Sequence, residues 1–311
     1  MLMQGLITKA TGSWYQARLD NGHMMECRLP GKFRLSDEQV TNPVTVGDRV
    51  HIVLQNDGTG MIEHIEERRN KLLRQATHGR KGTQMLAANV DYVLIIQSLK
   101  QPVFKTGFID RLLVCCEAYD INPVIVMNKT DLSENKKDAA RLSEVLNLYT
   151  GLGYSFVTTS IYDPDSIHRL KELIEGSISV MTGPSGTGKT SLLNSMATDQ
   201  DLKTAEISHF SNKGKHTTTF SHLIPVSENT RVIDTPGVRE FGLVDLKSYE
   251  ISLYFPEMAS IRESCHYYNC THGHEPNCAV IEAVENGRIA ASRYRSYRHI
   301  VESNGQDQHN L

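Results

Sequence analysis

A loop able to wrap a phosphate does most to fix the architecture of this chain. Gly183-Pro184-Ser185-Gly186-Thr187-Gly188-Lys189-Thr190, followed by Ser191, fits the spacing G-x-x-x-x-G-K-[ST] and lies between an apolar run, "SISVM", and a helical one, "TSLLNSM". The glycines let backbone N–H groups curl toward one anion, and the helix N-terminus adds its partial positive charge. Such a loop needs a buried strand handing over to a helix, so an α/β sheet must surround it. Lys189 is placed to reach the β- and γ-phosphates of a nucleoside triphosphate, and the Thr190 hydroxyl to ligate Mg²⁺.

The rest of the chain supplies that sheet. From Val90 the strand-like runs "VDYVLIIQS", "NPVIVMN", "YSFVTTS" and "SISVMTG" alternate with helical runs such as "IDRLLVCCEAY" and "IHRLKELIEG". Apolar strands alternating with helices predict a doubly wound parallel sheet over residues 69–245. Residues 1–68 read differently: five short strand-like runs are separated by turn signals at Asp20-Asn21-Gly22, Pro30-Gly31 and Asp57-Gly58. That pattern predicts a small closed β-barrel of OB type, although an SH3-like barrel would read much the same. Between barrel and sheet, "RRNKLLRQATHGRKG" carries Arg68, Arg69, Lys71, Arg74, His78, Arg80 and Lys81, whose plainest reading is a solvated linker.

Two further motifs belong with the phosphate loop. Asn128-Lys129-Thr130-Asp131 follows the strand "VIVM". A carboxylate at Asp131 can accept from N1–H and the exocyclic amine of guanine, a donor pair that adenine lacks. The competing role is a helix N-cap for the segment beginning at Leu132. Thr158 and Thr159, after the next strand, would support Asp131 and the base from behind. Downstream, "RVIDTPGVREFG" ends a strand at Asp234 and turns at Gly237. Asp234 is where a carboxylate would hold Mg²⁺ through water, and the Gly237 N–H could meet a γ-phosphate. In "SNKGKHTTTFSHL", Thr217 or Thr218 would close over Mg²⁺ as an ordering switch.

The last 66 residues, 246–311, read as a helical, metal-containing tail. Cys265-x4-Cys270-x-His272-x5-Cys278 offers three thiolates and an imidazole, a closed tetrahedral set that predicts one structural zinc. His266 and His274 fall in the same window and could replace His272. Cys115 and Cys116 sit in the apolar "LLVCC" and read as core. In the final helix Tyr294, Tyr297 and Val301 share a face expected in the core, while Arg288, Arg295 and Arg298 gather on another that is free for phosphate. Thirty-three Lys and Arg stand against 36 Asp and Glu, a net charge of −3, so only local patches could bind nucleic acid. No apolar run long enough to span a membrane occurs, and nothing resembles a secretory signal, so a cytoplasmic protein is expected.

In chain order the motifs run base reader, support loop, phosphate loop, switch, D-x-P-G: G4-G5-G1-G2-G3, a circular permutation of the usual G1 to G5. With "KGKHTTT", a barrel in front and the Cys₃His cluster behind, the chain closely resembles the RsgA/YjeQ family of bacterial GTPases that act in small ribosomal subunit biogenesis. The resemblance implies GTP and Mg²⁺ as ligands and GTP hydrolysis stimulated by the 30S subunit late in its maturation. It further implies outer domains that contact 16S rRNA, in a protein expected to be monomeric. Guanine recognition would fall on Asn128, Lys129, Thr130 and Asp131, and phosphate binding on Gly183 to Ser191 with Asp234 and Gly237. Val238 follows Gly237 where Ras-like GTPases carry a water-orienting Gln, so unassisted turnover should be slow. The resemblance makes His216 the candidate for orienting that water. It also makes the basic stretch and the arginine-bearing helix rRNA contacts. An RNA-binding assembly factor using GTP only as an occupancy signal is the alternative.

Overall fold

The computed structural model describes residues 2–30, 43–75, 83–133, 135–197, 222–234 and 246–309. Strands β1 (Leu2–Ala10), β2 (Tyr15–Leu19), β3 (Met24–Arg28), β4 (Arg49–Leu54) and β5 (Gly60–Ile65) form the N-terminal barrel. β1 pairs with both β2 and β4, and a parallel β3–β5 contact completes the closure, leaving no free edge within the ring. Alternation along "YQARL" turns Tyr15, Ala17 and Leu19 inward onto Ile7, Cys27, Val50, Ile52 and Ile62. Gly60 opens β5 because a Cβ there would lie 2.4 Å from Ile52 Cγ2, inside the barrel core.

The basic stretch is not a solvated linker. Its first part forms β6 (Lys71–Gln75), paired antiparallel with β7 (Thr83–Ala88), and Leu72, Leu86 and Ala87 are buried in the main core. Arg68 is committed to the protein itself, donating from Nε to Asp48 Oδ1 at 2.6 Å and from Nη2 to Asp48 Oδ2 at 2.9 Å and the Pro43 carbonyl at 2.7 Å. Arg69 likewise binds Asp91 at 2.7 Å. Lys71 is exposed, while His78, Arg80 and Lys81 lie outside the described residues. Charge spacing alone could not separate arginines paired within the protein from arginines awaiting a ligand.

The second sheet contains β8 (Tyr92–Ser98), β9 (Asn122–Asn128), β10 (Ser155–Thr159), β11 (Ile178–Thr182), β12 (His222–Pro225) and β13 (Arg231–Asp234), in the order β10-β9-β8-β11-β13-β12. All neighbours are parallel except β12, which runs antiparallel to β13 and touches β1 at Lys9 and His222, so the barrel and this sheet join into one. The parallel prediction misses this strand because an edge hairpin and a crossover read alike in a short apolar run.

Alternation sorts the helices onto two faces. Val93, Ile95, Ile125, Met127 and Val180 face one core with α1 (Thr106–Ala118) and α2 (Lys136–Gly151). Leu94, Ile96, Val124, Val126 and Met181 face the other, with α3 (Pro164–Leu173) and α4 (Lys189–Met196). Asn135 caps α2 through Asp138 N–H, and Asp163 with Pro164 starts α3. Cys115 and Cys116 are fully buried in α1, where burial pushes the Cys115 thiol up to about 12. They are core residues, as their apolar run predicts.

The tail adds the short helices α5 (Pro256–Ala259) and α6 (Ala279–Glu285) and the long α7 (Ala291–His309). The buried stripe of α7 is Arg293, Ser296, Tyr297, Ile300 and Asn304, whereas Tyr294 and Val301 are only half-buried. An arginine therefore occupies the core face. Arg293 is 1% exposed, donating to Asp110 of α1 at 2.7 Å and to both carboxylate oxygens of Glu257 at 2.7 and 3.2 Å. Its guanidinium also lies over Phe255, 4.6 Å from the ring centre. A helical hydrophobic count places tyrosines inward but cannot anticipate an arginine whose two carboxylate partners come from distant segments.

Candidate functional site

The parallel strands deliver their C-terminal ends to one edge, where the expected base-reading and phosphate-binding segments meet. Asn128 ends β9 and is 2% exposed. Its Nδ2 donates to the Thr187 carbonyl at 2.9 Å, and its Oδ1 accepts from Thr159 Oγ1 at 3.0 Å. One amide thus bolts the base motif to the phosphate loop on one side and to the support loop on the other. Lys129, at φ +62°, turns its Nζ onto the carbonyls of Gly186 and Gln101. Gly188 permits this closeness: a Cβ there would lie 2.6 Å from Asn128 Nδ2.

Asp131 is exposed at the mouth of this crevice, in a short 3-10 turn spanning Thr130–Leu132. It caps no helix; the cap of α2 is Asn135. Its Oδ1 accepts from Ser160 Oγ at 2.6 Å. Support from Thr158 and Thr159 is therefore shifted by one residue in the structure. Thr159 binds Asn128 and, through its carbonyl, accepts from Thr130 Oγ1 at 3.2 Å; the hydroxyl that meets Asp131 is Ser160's. Thr158 lies on the half-buried face of β10. The available signal was Ser160's position: the first residue beyond a strand end is freed from the pleat and can turn into the crevice.

Within the phosphate loop, Lys189 Nζ donates to the Gly183 and Pro184 carbonyls at 2.8 Å each. Thr187 is buried, with Oγ1 on the Pro184 carbonyl at 3.0 Å, while Ser185 and Gly186 are exposed. Thr190 and Ser191 are exposed in the first turn of α4, which has no acidic residue to compete for an anion. Asp234 terminates β13, two strands from β8 and next to β11, so its backbone reaches this same edge. His216, Thr217, Thr218, Gly237 and Val238 lie outside the described residues.

The cysteine cluster forms a compact knuckle. Donor atoms of Cys265, Cys270, His272 and Cys278 all lie within 4.8 Å of one another. Cys265 Sγ is 3.8 Å from Cys278 Sγ and 3.6 Å from His272 Nδ1, and that nitrogen is 3.4 Å from Cys278 Sγ. A tetrahedron with metal–sulfur bonds of about 2.3 Å and a metal–nitrogen bond of about 2.0 Å has edges of roughly 3.5–3.8 Å, which these three separations match, and with Cys270 the four donors could hold one ion. Burial holds the His272 imidazole below its ordinary pKa, in the neutral form that a metal requires. His266 is exposed and packs edge-on against Tyr267, and His274 is exposed. The choice among the three histidines falls on His272.

The knuckle is braced from α7 and from within. Tyr294 and Tyr297 donate their hydroxyls to the His272 and Thr271 carbonyls at 2.8 and 2.7 Å. Glu275 accepts from the Thr271 hydroxyl and from the N–H groups of Thr271, Gly273 and His274. Partial burial opposes the charge on Glu275, but these donors outweigh it and hold the carboxyl far below its usual range.

Comparison with known proteins agrees with this architecture. The RsgA N-terminal domain family model matches residues 4–62, and the RsgA GTPase model matches residues 65–244. A curated relative from Bacteroides thetaiotaomicron, small ribosomal subunit biogenesis GTPase RsgA 2, is 43% identical over 300 residues, covering 96% of each chain. The crystal structure of YjeQ from Thermotoga maritima superposes with a TM-score of 0.79 at 33% identity, covering 97% of this chain and 98% of that one. YloQ, a circularly permuted GTPase, superposes at 0.76 with 29% identity, covering 99% and 96%. The chain belongs to the RsgA GTPase family: it is a GTP-hydrolysing enzyme whose base-reading half precedes its phosphate loop.

Proposed function

We propose that this GTPase acts on the small ribosomal subunit, binding 30S particles and their 16S rRNA late in maturation and hydrolysing GTP when the particle stimulates it. The curated relatives named as small ribosomal subunit biogenesis GTPases support the ribosomal half of the reading, and the junction at Asn128 carries its GTP half. Two motifs in reversed chain order are locked together by Asn128 Nδ2 on Thr187 O and Lys129 Nζ on Gly186 O, leaving the Asp131 carboxylate at the crevice mouth. Asp131 accepts from guanine, Ser160 holds its carboxylate, and Asn128 and Lys129 shape the pocket. Thr130, through its bond to Thr159, keeps the motif in register.

Backbone N–H groups of the loop Gly183–Ser191, Pro184 excepted, neutralise the phosphates together with Lys189 at the N-terminus of α4. Mg²⁺, held by Thr190, by Asp234 and by Thr217 or Thr218, would offset charge developing on the phosphate oxygens. His216 orients the attacking water. Cys265, Cys270, His272 and Cys278 hold one structural zinc. Residues 1–68, 69–245 and 246–311 act as barrel, GTPase and metal units of a cytoplasmic monomer. Among the described residues, no helix is long and apolar enough to cross a membrane.

The test is phosphate release from GTP and from ATP, with and without purified 30S or 50S subunits. Stimulation by 30S with GTP alone is expected; equal use of ATP, or stimulation by 50S only, overturns the reading. His216→Ala should abolish the stimulated rate while leaving 30S binding intact, and an unchanged rate would make hydrolysis incidental to occupancy.

A further inference from the structure

We propose that the groove between α1 and α7 is a binding site for the phosphate backbone of an RNA strand. The groove encloses about 530 Å³ and is lined by Arg111 and Thr106 from α1, with Ser292, Arg295, His299 and Ser303 among its α7 residues. No acidic side chain lines it. A cleft of nearly equal size between barrel and sheet, about 520 Å³, makes the contrast: there Arg18, Arg49, Arg69 and Arg231 face Glu66, Glu67, Asp91 and Glu228. Its charges are balanced, and an anion gains little by entering it.

The α1–α7 groove is unbalanced because of how neighbouring arginines are used. Arg293 is neutralised by Asp110 and Glu257, and Arg298 pairs with Glu302 at 3.3 Å. Arg295 and His299 are exposed and have no acidic partner among the described residues. Arg111 is steered along the groove by donating from Nη1 to Ser303 Oγ at 3.1 Å. Both helices begin here without an acidic residue in the first turn, and α1 has no side-chain cap, so unclaimed N–H groups add to the positive field. Arginine, hydroxyl and backbone N–H are the donors that hold nucleic-acid phosphates.

Length selects a strand over a free ion. Ser292 and Ser303 are eleven positions apart on one helix, about 16 Å at the α-helical rise, enough for several successive nucleotides. The groove also lies on the nucleotide edge of the sheet. α1 starts just after β8, and the intervening loop places the Gln101 carbonyl on Lys129 Nζ. The site differs from the Arg288, Arg295 and Arg298 face expected from helical spacing, because Arg111 and His299 enter only when α7 lies against α1.

This inference rests on the reading that the protein works on ribosomal RNA, and the experiment separates the two. Full-length, metal-loaded protein and R295A/H299A are compared by fluorescence anisotropy on a labelled 15-nucleotide single-stranded RNA, and by pelleting with 30S subunits, across a KCl series. The double variant should bind both about tenfold more weakly. Its plot of log affinity against log salt should flatten by about 0.7 for each phosphate that the variant no longer neutralises. GTP turnover without RNA should stay at the wild-type value. Unchanged affinity and salt slope overturn the groove while leaving the ribosomal reading in place. Wild-type protein that binds neither RNA nor 30S overturns both. The His299 imidazole resonances should move on adding RNA; an equal movement with millimolar inorganic phosphate, and none with RNA, would assign the groove to a free ion and overturn the RNA assignment.

Discussion

The nucleotide crevice and the metal knuckle solve the same problem, holding several polar groups around a guest, by opposite means. The crevice is assembled from four separated segments, and its order comes from the sheet: Asn128, Lys129, Thr159 and Ser160 are fixed by hydrogen bonds to one another and to the phosphate loop. The knuckle takes all four donors from one short stretch, and those donors could hold one metal ion. Without a cation, burial pushes the Cys270 thiol up to about 12 and raises Cys278 as well. Buried neutral thiols offer little cohesion, whereas thiolates on a divalent ion contribute folding energy directly. Loss of the guest should therefore unfold the knuckle locally and leave the crevice standing.

The largest effect tests that contrast directly. Chelation, or Cys270→Ser, should reduce bound metal from close to one ion per chain to near zero. Amide exchange around Tyr294 and Tyr297 should lose its protection, with the parallel sheet still protected. Full protection of α7 after chelation would break the comparison. Next, Arg293→Met leaves Asp110 and Glu257 buried without their cation and should cost about 3–5 kcal/mol, read as a lowered melting temperature of the metal-loaded protein. R293M with Asp110→Asn and Glu257→Gln should regain much of that loss.

Within the crevice, effects should appear in binding and not in melting. Asp131→Ala should weaken GTP about a hundredfold or more, because the guanine donors lose their shared acceptor, while the melting temperature holds. Smallest of all, Ser160→Ala removes one hydrogen bond to a carboxylate and should weaken GTP roughly tenfold. Thr158→Ala should leave GTP affinity unchanged, and isothermal titration of both variants would show whether support belongs to residue 160.

What could be read from the sequence follows the same division. Local signals were legible: period-two alternation in "YQARL", the strand–loop–helix around Lys189, and the cysteine spacing all depend on residues near one another. Contacts made by folding were not. Arg68 and Arg69 read as free charge because their partners, Asp48 and Asp91, lie 20 and 22 positions away along the chain and meet them only once it folds. Arg293 breaks the helical pattern because its neutralising groups, Asp110 and Glu257, come from α1 and α5. Ser160 was displaced by one residue from the expected support because a pleat assigns faces only up to the strand end.

The ion pair between Asp110 and Arg293 spans 183 positions of chain. During synthesis at about 5–20 residues per second, roughly 10–40 s pass between the appearance of the carboxylate and that of its partner. Over that interval α1 carries a charge destined for the interior with nothing to neutralise it, and the face later covered by Ile300 and Tyr297 is open to solvent. The Asp110–Arg293 pair can form only once α7 has emerged, and a chain stopped short of Arg293 would present chaperones with an exposed apolar face and an unmatched acid.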